Sequence, residues 1–371
     1  MPCKISIFIP VYRESSLLEG LVRRLLEDPY KDKEIFVIID EPTPESLRLA
    51  RSFEGEVDFI LNGKRKGKVN ALNEAVKRSS GEVLLFLDSD LHVNLESKSF
   101  LEAIATGLEE ADLVDVKKEV IRESLKARLV SYDYLGFNIA SWLLSRTLKR
   151  CLGLNGATFA IRRDAFEDLG GFRRVVSEDL DIGVRAFLKG LKFKYLEDVK
   201  VQVKAPSSWG EWFKQRKRWG IGIALWLKEN FRILIRAVSE YPTILLPSLL
   251  LVFPSLPLLM MSLIVPDEFY MKALYIPLLL LSTHFSLLLP PIALTSTTIF
   301  LARNLFLSIG SLGVYSFIYY LLAQKIKYTF NPLEFALFYL LYSTLWLMIV
   351  IVSIIKVCVL KQEDLSIDWK T

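Results

Sequence analysis

Short, nearly all-apolar runs alternate with helix-like segments through the first ninety residues of this chain. The apolar runs lie at residues 5–10, 35–39, 57–61 and 83–87, and the helical segments lie near residues 15–27, 44–53 and 69–78. A strand that is apolar at nearly every position is covered on both faces, which is typical of a parallel sheet between layers of helices. The pattern therefore predicts an α/β fold with a mostly parallel sheet.

Polar side chains stand where three of these predicted strands end. They are Tyr12 and Glu14 after the first strand, Asp40 after the second, and Asp88, Ser89 and Asp90 after the fourth. In open α/β sheets ligands bind beyond the carboxyl ends of the strands. A single acid at such a position is ordinary, because Asp also favours turns and helix caps. Several of them at one edge predict a binding site.

Asp88 and Asp90 follow the apolar run at residues 83–87, which is expected to be a buried strand. Their carboxylates could hold Mg²⁺ or Mn²⁺ against a diphosphate, although a turn or a helix cap would also use them. His92 comes two positions later, and its imidazole is either a further ligand of Mn²⁺ or a solvated surface group. Lys68 ends a basic run at residues 64–68, so it could counter a phosphate or simply be solvated.

A second group of acids opens a predicted helix at residues 178–189. Glu178 and Asp179 lie in its first turn, where acids are expected from the helix macrodipole alone. If this turn faces the cleft, Asp179 is a candidate general base for an acceptor hydroxyl.

The most specific pattern in the chain lies at residues 215–219. Gln215, Arg218 and Trp219 are spaced i, i+3 and i+4, which predicts one shared helical face, with Arg216 and Lys217 pointing elsewhere. Arg218 would then stabilise a leaving diphosphate, and Trp219 would pack against the sugar or the acceptor. The alternative is a membrane-interface anchor, for which Arg and Trp are typical.

The distribution of charge divides the chain. Charges are dense up to about residue 236 and sparse from 241 to 360. We predict a cytoplasmic catalytic domain at 1–205, amphipathic interfacial helices at 206–240, a transmembrane region at 241–360 and a C-terminal tail at 361–371. Apolar stretches near 241–265, 273–294, 303–323 and 333–360 predict four spans, with three as the alternative.

The predicted location is a cell membrane, with several spans and the catalytic domain on the cytoplasmic side. A basic cluster precedes the first apolar stretch, as the positive-inside rule expects. The sequence begins with a strand-like segment and shows no signal-peptide pattern, which favours a cytoplasmic first domain.

Taken in order, these motifs resemble those of glycosyltransferase family 2, on the branch of membrane-embedded synthases of cellulose, chitin, hyaluronan and poly-N-acetylglucosamine. The resemblance covers residues 5–222. The segments that carry it are IPVYRE at 9–14, GKVNALN at 67–73, the stretch from Gly81 to Asp90, the stretch from Arg162 to Phe172, SED at 177–179 and QRKRW at 215–219.

The resemblance implies an A-type nucleotide-diphospho-sugar transferase fold, a UDP-sugar as the usual donor, Mg²⁺ or Mn²⁺, and inversion to a β-linked product. It implies that Asp90, with Asp88, binds the metal and that Asp179, beside Glu178, is the base. His92 stands where related dolichyl-phosphate mannose synthases carry a metal-binding Gln. The residues implied to bind the donor are Pro10, Tyr12, Glu14, Asp40, Lys68, Asp88, Ser89, Gln215, Arg218 and Trp219.

The predicted function is therefore metal-dependent, inverting transfer of a sugar from a nucleotide-diphosphate donor at the cytoplasmic membrane face. A polysaccharide and a membrane lipid both remain open as acceptors, as does a homo-oligomeric state. No nucleic-acid partner is predicted. The alternative from another class is a membrane scaffold that binds a nucleotide sugar without turnover. A transporter is disfavoured, because the apolar region carries few ionisable groups.

Overall fold

A computed structural model describes residues 3–93, 99–264, 280, 283–284 and 296–361. It forms two compact units. The first comprises Met1–Leu249 together with Met348–Thr371, and the second comprises Leu250–Leu347.

Within the described residues of the first unit, eight strands form one sheet in the order β3-β2-β1-β4-β7-β6-β8-β5. The strands are β1 (Ile5–Tyr12), β2 (Lys33–Asp40), β3 (Asp58–Asn62), β4 (Val83–Leu87), β5 (Leu91–Val93), β6 (Leu113–Val120), β7 (Thr158–Arg162) and β8 (Phe193–Val203). Pairing is parallel from β3 through β2 and β1 to β4 and again between β6 and β8, whereas β7 and β5 pair antiparallel. The prediction of an α/β fold with a mostly parallel sheet is confirmed.

The register of the first three strands brings their carboxyl ends together. Tyr12 of β1 lies opposite Asp40 of β2, and Asp40 lies opposite Asn62 of β3. Residues that the sequence places 28 and 22 positions apart therefore share one edge of the sheet.

Helices cover the sheet as the alternating pattern predicts. The helices up to residue 240 are α1 (Leu18–Glu27), α2 (Pro44–Ser52), α3 (Lys68–Val76), α4 (Phe100–Glu110), α5 (Leu125–Thr147), α6 (Arg163–Asp168), α7 (Glu178–Lys189) and α8 (Trp209–Glu240). Side chains cap several of their first turns: Thr43, Ser99, Ser124 and Ser208 each accept a hydrogen bond from a backbone N–H three residues on. Such caps satisfy N–H groups that the helix itself leaves unpaired.

An aromatic cluster supports the end of β4. The rings of Phe8 and Phe36 stack with centroids 5.5 Å apart, and Phe86 packs against Phe8 at 5.3 Å and against Phe159 at 5.1 Å. Phe172 meets Phe86 edge-on at 4.9 Å. Because Phe86 lies two residues before Asp88, close packing here fixes the backbone that presents the acid pair.

The strand β6 has a sequence that does not look like a buried strand, since it contains adjacent lysines. Lys118 is nevertheless buried, and its ammonium forms an ion pair with buried Asp115. Asn138 of α5 donates to the carbonyl of Lys118 and accepts from its N–H. These partners, of which Asn138 is distant in the sequence, compensate the cost of burying polar groups, which is why periodicity alone does not reveal the strand.

The apolar part of the chain forms α9 (Pro242–Val252), α10 (Leu256–Ile264), α11 (Ser296–Lys325) and α12 (Pro332–Val359), the last with π-helical turns at Phe338–Tyr342 and Ile355–Val359. Among the described helices, Arg303–Lys325 and Pro332–Val359 are long and apolar enough to cross a membrane. The pair formed by α8 and α9, bent by 119°, would count as a third candidate if it is one span.

The stretch near 241–265, which is predicted as a single span, does not form one continuous helix. Its helix stops at Val252 and a new one starts at Leu256, with Pro254 between them. Proline lacks the N–H that a continuous helix needs and clashes with the preceding turn. The predicted span at 273–294 lies almost wholly outside the described residues.

Candidate active site

A cleft opens beyond the carboxyl ends of the central strands. It is lined by Pro10 of β1 and by residues from the start of α3, the end of β4, the loop before β7 and the start of α7. Its aromatic floor consists of Phe86, Phe159 and Phe172. The predicted site residues that it brings together are Pro10, Lys68, Asp88, Glu178 and Asp179.

Lys68 links two of the acids in this cleft. Its Nζ lies 2.9 Å from Oδ1 of Asp88 and 3.0 Å from Oε1 of Glu178. Burial by itself lowers the pKa of the Lys68 ammonium, but the two carboxylates outweigh burial and raise it. Lys68 is therefore a permanent cation within the cleft, paired with two acids although 29% of its side chain is exposed. Gly67, with a φ of 82°, provides the left-handed turn that starts α3 at this lysine.

Asp179 is held by two backbone N–H groups. Its Oδ2 accepts from Gly156 at 2.8 Å, and its Oδ1 accepts from Leu180 at 2.8 Å. A Cβ at Gly156 would stand 2.7 Å from Oδ2, so glycine is needed for this approach. Burial, and then the neighbouring charge of Glu178, raises the pKa of Asp179 to about 6. A carboxylate whose pKa lies close to neutrality is suited to general-base catalysis.

The acid pair after β4 is held by the backbone. The N–H of Asp88 donates to the carbonyl of Ala157 at 2.9 Å, and the hydroxyl of Ser15 donates to the carbonyl of half-buried Ser89 at 2.8 Å. Asp90 is exposed to solvent, although neighbouring protein atoms reduce the hydration of its carboxylate. That desolvation, followed by the charge of Asp88, raises the pKa of Asp90 to about 6.

Two carboxylates whose charges repel fit a divalent cation, because oxygen ligands suit Mg²⁺ and Mn²⁺ and the ion would relieve the repulsion. His92 lies in β5, half-buried and opposite Gln202 of β8. Among the residues that the structure describes, no three His, Cys, Asp or Glu side chains form a group that could hold a metal ion. A cation at Asp88 and Asp90 would therefore take further ligands from substrate or water.

Asp40 is buried and occupied by protein partners. Its Oδ1 accepts from the amide of Asn62 at 2.9 Å, and its Oδ2 accepts from the N–H groups of Lys66 and Gly67 at 3.0 and 2.8 Å. The carboxylate thus orders the loop that delivers Lys68 to the cleft. That role was not visible in the sequence, where Asp40 was assigned to the nucleotide.

Tyr12 lies at the same sheet edge. Its hydroxyl donates to Glu41 at 3.2 Å, and the guanidinium carbon of Arg65 lies 3.8 Å from its ring centroid. Glu14 accepts from the hydroxyl of Thr43 at 2.7 Å. Arg65 is a neighbour of this site that sequence reasoning missed, since it sits in a basic run typical of a solvated loop.

On α8, the predicted motif residues Gln215, Arg218 and Trp219 are all half-buried. The prediction that Arg216 points elsewhere is wrong. Its guanidinium carbon lies 4.3 Å from the ring centroid of Trp219, and its Nη2 lies 2.8 Å from Oδ2 of Asp133, with side chains 0% and 3% exposed.

Asp133 belongs to α5, which the sequence reasoning did not connect with the motif. The spacing i, i+3 also places Arg216 beside Trp219, so periodicity alone was ambiguous. A signal was present in the sequence: Asp133 interrupts an otherwise largely apolar stretch of α5. Its neighbour Tyr134 has a pKa raised by burial and then by Asp90 and Asp88, against the opposing charge of Arg216. Tyr134 therefore lies near both the acid pair and the buried ion pair.

Comparison with known proteins gives a family match. The family model described as "Glycosyltransferase like family 2" matches residues 2–222, which is more than half of the chain. Probable glycosyltransferase YdaM of Bacillus subtilis is 27% identical over 239 residues, covering 59% of this chain and 55% of that protein. Poly-beta-1,6-N-acetyl-D-glucosamine synthase of Staphylococcus aureus is 24% identical over 223 residues, covering 59% of this chain and 54% of that protein.

This chain thus spans about half the length of the curated relatives that it matches. Among solved structures, a mannosyltransferase from Pyrobaculum calidifontis in complex with GDP-Man and Mn²⁺ superposes with a TM-score of 0.49 and 17% identity. The superposition covers 82% of this chain and 87% of that one.

Proposed function

This chain belongs to the family described as Glycosyltransferase like family 2, and on that premise we propose that it moves a sugar from a nucleotide-diphosphate donor to an acceptor hydroxyl with inversion. The observation that carries the proposal is the placement of Asp179. Its carboxylate, with a pKa of about 6, lines the same cleft as the Lys68–Asp88 pair. A base and a diphosphate-binding cation are the two groups that this reaction needs on opposite sides of the sugar.

Asp179 acts as the base in this proposal. Hydrogen bonds from Gly156 and Leu180 occupy one lone pair on each carboxylate oxygen, and each oxygen keeps another for the acceptor hydroxyl. As Asp179 takes the hydroxyl proton, the acceptor oxygen attacks the anomeric carbon and the bond to the diphosphate breaks. A fixed carboxylate contributes typically 10²- to 10⁴-fold to such a rate.

Lys68 and Arg218 supply positive charge for the departing nucleotide diphosphate. Charge placed in advance where negative charge develops lowers the barrier more than charge that must reorganise. Lys68 is already held between Asp88 and Glu178, so its position is set before the donor arrives.

The residues that would hold Mg²⁺ or Mn²⁺ are Asp88 and Asp90; His92 forms no three-ligand group with them among the described residues and is not included. A divalent ion bound there serves as a Lewis acid toward diphosphate oxygens. The nucleotide part of the donor would lie beside Tyr12, Asp40 and the neighbouring Arg65. The donor that we propose is a UDP-sugar.

We further propose action at the cytoplasmic face of a membrane by a multi-pass protein. The helix α8 supports this, because it exposes Trp209, Phe213 and Phe231 among numerous cations. Aromatic residues mixed with Lys and Arg are typical of helices in the membrane interface. The name of the Staphylococcus relative favours a polysaccharide of N-acetylglucosamine as the product, while a lipid acceptor is the other outcome to be tested.

The test is nucleotide-diphosphate release by the full chain in detergent with UDP- and GDP-sugars and Mn²⁺ or Mg²⁺. Asp179→Asn should lower kcat by about 10²- to 10⁴-fold and leave donor affinity within about twofold. Asp58→Asn, at an exposed position of β3, is the matched control and should behave like the parent.

Unchanged release by Asp179→Asn would overturn the assignment of the base. Mass analysis of the product separates the acceptors: a ladder of masses indicates a polymer, and a single added sugar on a lipid indicates a glycolipid.

A further inference from the structure

One face of α8 contacts the first turn of α7, which carries the proposed base, on both sides of Glu178 and Asp179. Gly222 and Trp226 are four residues apart and so share a face of the helix. Gly222 packs so closely on the hydroxyl of Ser177 that the site leaves no room for a Cβ. The indole Nε1 of Trp226 donates to the carbonyl of Leu180 at 3.2 Å. Ser177 and Leu180 are the residues that flank Glu178 and Asp179.

We propose that Trp226 is a positioning residue for Asp179, acting through Leu180. The inference rests on the proposed role of Asp179 as the base. Leu180 is the residue through which the two are connected, because its N–H donates to Oδ1 of Asp179 while its carbonyl accepts from Trp226. Hydrogen bonds to both the N–H and the carbonyl of Leu180 hold this residue in place. The N–H of Leu180 in turn orients the carboxylate of Asp179.

The opposite side of the same turn is held by the loop before β7. Gly156 donates to Asp179, and Gly153 lies so close to Gly183 of α7 that no side chain fits at Gly183. The turn is therefore clamped between this loop and α8. The loop contributes only backbone atoms to these contacts. The indole N–H of Trp226 is a side-chain donor, so a substitution can remove its hydrogen bond.

The position of Trp226 also connects two parts of the proposed reaction. Trp226 lies about two helical turns after Trp219 on one continuous helix. The helix that carries the predicted diphosphate-binding motif thereby also orients the base. A shift of α8 would change both together.

The experiment replaces the indole while keeping an aromatic ring. Trp226→Phe removes the N–H and should lower kcat about three- to tenfold, because one hydrogen bond orients the reacting group and small misplacements are costly. Donor affinity and the melting temperature should stay at the parent values. The control is Trp142→Phe on α5, whose indole N–H has no hydrogen-bond partner among the described residues; its kcat should not change.

A second variant separates the N–H from the bulk of the indole. In Trp226→His, Nε2 takes the ring position of the indole Nε1, so the neutral tautomer with Nε2–H should restore part of kcat. Equal loss in the Phe and His variants, or a kcat of Trp226→Phe within twofold of the parent, would overturn the proposal.

A double variant distinguishes this inference from the assignment of the base. If Trp226 acts through Asp179, adding Trp226→Phe to Asp179→Asn should lower the residual rate no further. A further drop would show that Trp226 acts elsewhere and would overturn the inference. If Asp179→Asn alone kept full activity, the assignment of the base would fail, and Trp226 would have no base to position.

Discussion

The substitution Gly156→Ala tests the geometry of the base most directly. The backbone of Gly156 lies outside the left-handed region, so alanine is conformationally allowed and its effect is steric. The new Cβ would stand 2.7 Å from Oδ2 of Asp179, whereas ordinary contact begins at 3.4 Å. The carboxylate or the loop must therefore give way by about 0.7 Å, taking 3.4 Å as the limit.

A displacement of this size should appear in kcat. A misplacement of about 1 Å in a reacting group can cost roughly 10²-fold, so we expect kcat to fall roughly 10- to 100-fold. Donor affinity should remain close to the parent value, because the three atoms nearest to the new Cβ all belong to Asp179. The assay is nucleotide-diphosphate release at saturating donor, with donor titration and thermal unfolding measured on the same samples.

The matched control is Gly20→Ala on the exposed side of α1. A Cβ there meets no atom within 4 Å, and alanine is a better helix former than glycine, which stabilises the fold by about 0.5–1 kcal/mol. Its kcat should equal that of the parent. If Gly156→Ala were folded and kept the kcat of the parent, close contact between Gly156 and Asp179 would not matter to catalysis and the reasoning would be refuted.

Three further predictions concern charged groups. Because Asp179 must be unprotonated to act as a base and its pKa is raised to about 6, kcat should hold a plateau above that pH and fall about tenfold per unit below it; a pH–rate profile measures this. Lys68→Met should weaken donor binding about 10- to 100-fold in a titration, because hydrogen bonds to charged groups contribute about 1.5–3 kcal/mol. Asp133→Asn leaves the buried charge of Arg216 without its carboxylate and should lower the free energy of unfolding by about 3–5 kcal/mol in denaturant titrations.

Each of these three has an outcome that contradicts it. If the rate stayed constant down to pH 4.5, the ionisation that limits the reaction would not be that of Asp179. Parent-like donor affinity in Lys68→Met would mean that this cation serves only the fold. The paired substitution Asp133→Leu with Arg216→Met should lower the free energy of unfolding much less than Asp133→Asn does, because it removes both charges. An equal loss would mean that packing, and not charge, causes the effect.

Much of the fold could be predicted because it depends on local properties. Apolar runs such as residues 83–87 are buried wherever they lie, and their alternation with helices predicts a covered parallel sheet. The edge that carries Asp88 then follows from chain direction alone. The 3.6-residue period likewise predicts that Gln215, Arg218 and Trp219 lie near one another on a helix.

Residues whose role depends on distant partners could not be predicted in this way. The pair of Asp133 and Arg216 joins α5 to α8 across more than eighty residues, and no local pattern shows that these two positions meet. Lys118 resembles any solvated lysine until Asp115 and Asn138 are placed around it. The break at Pro254 was not predicted, because the span near 241–265 was inferred from the length of its apolar stretch alone.

The sequence by itself determined the α/β sheet, the edge at which its polar residues gather and the apolar character of the chain after residue 240, because burial and helical period are properties of neighbouring residues. Only the tertiary structure decided that Lys68 bridges Asp88 and Glu178, and that Gly156 and Leu180 orient Asp179. These contacts join segments up to 110 residues apart along the chain. They exist because folding desolvates the charged groups in one cleft, where each must find a partner.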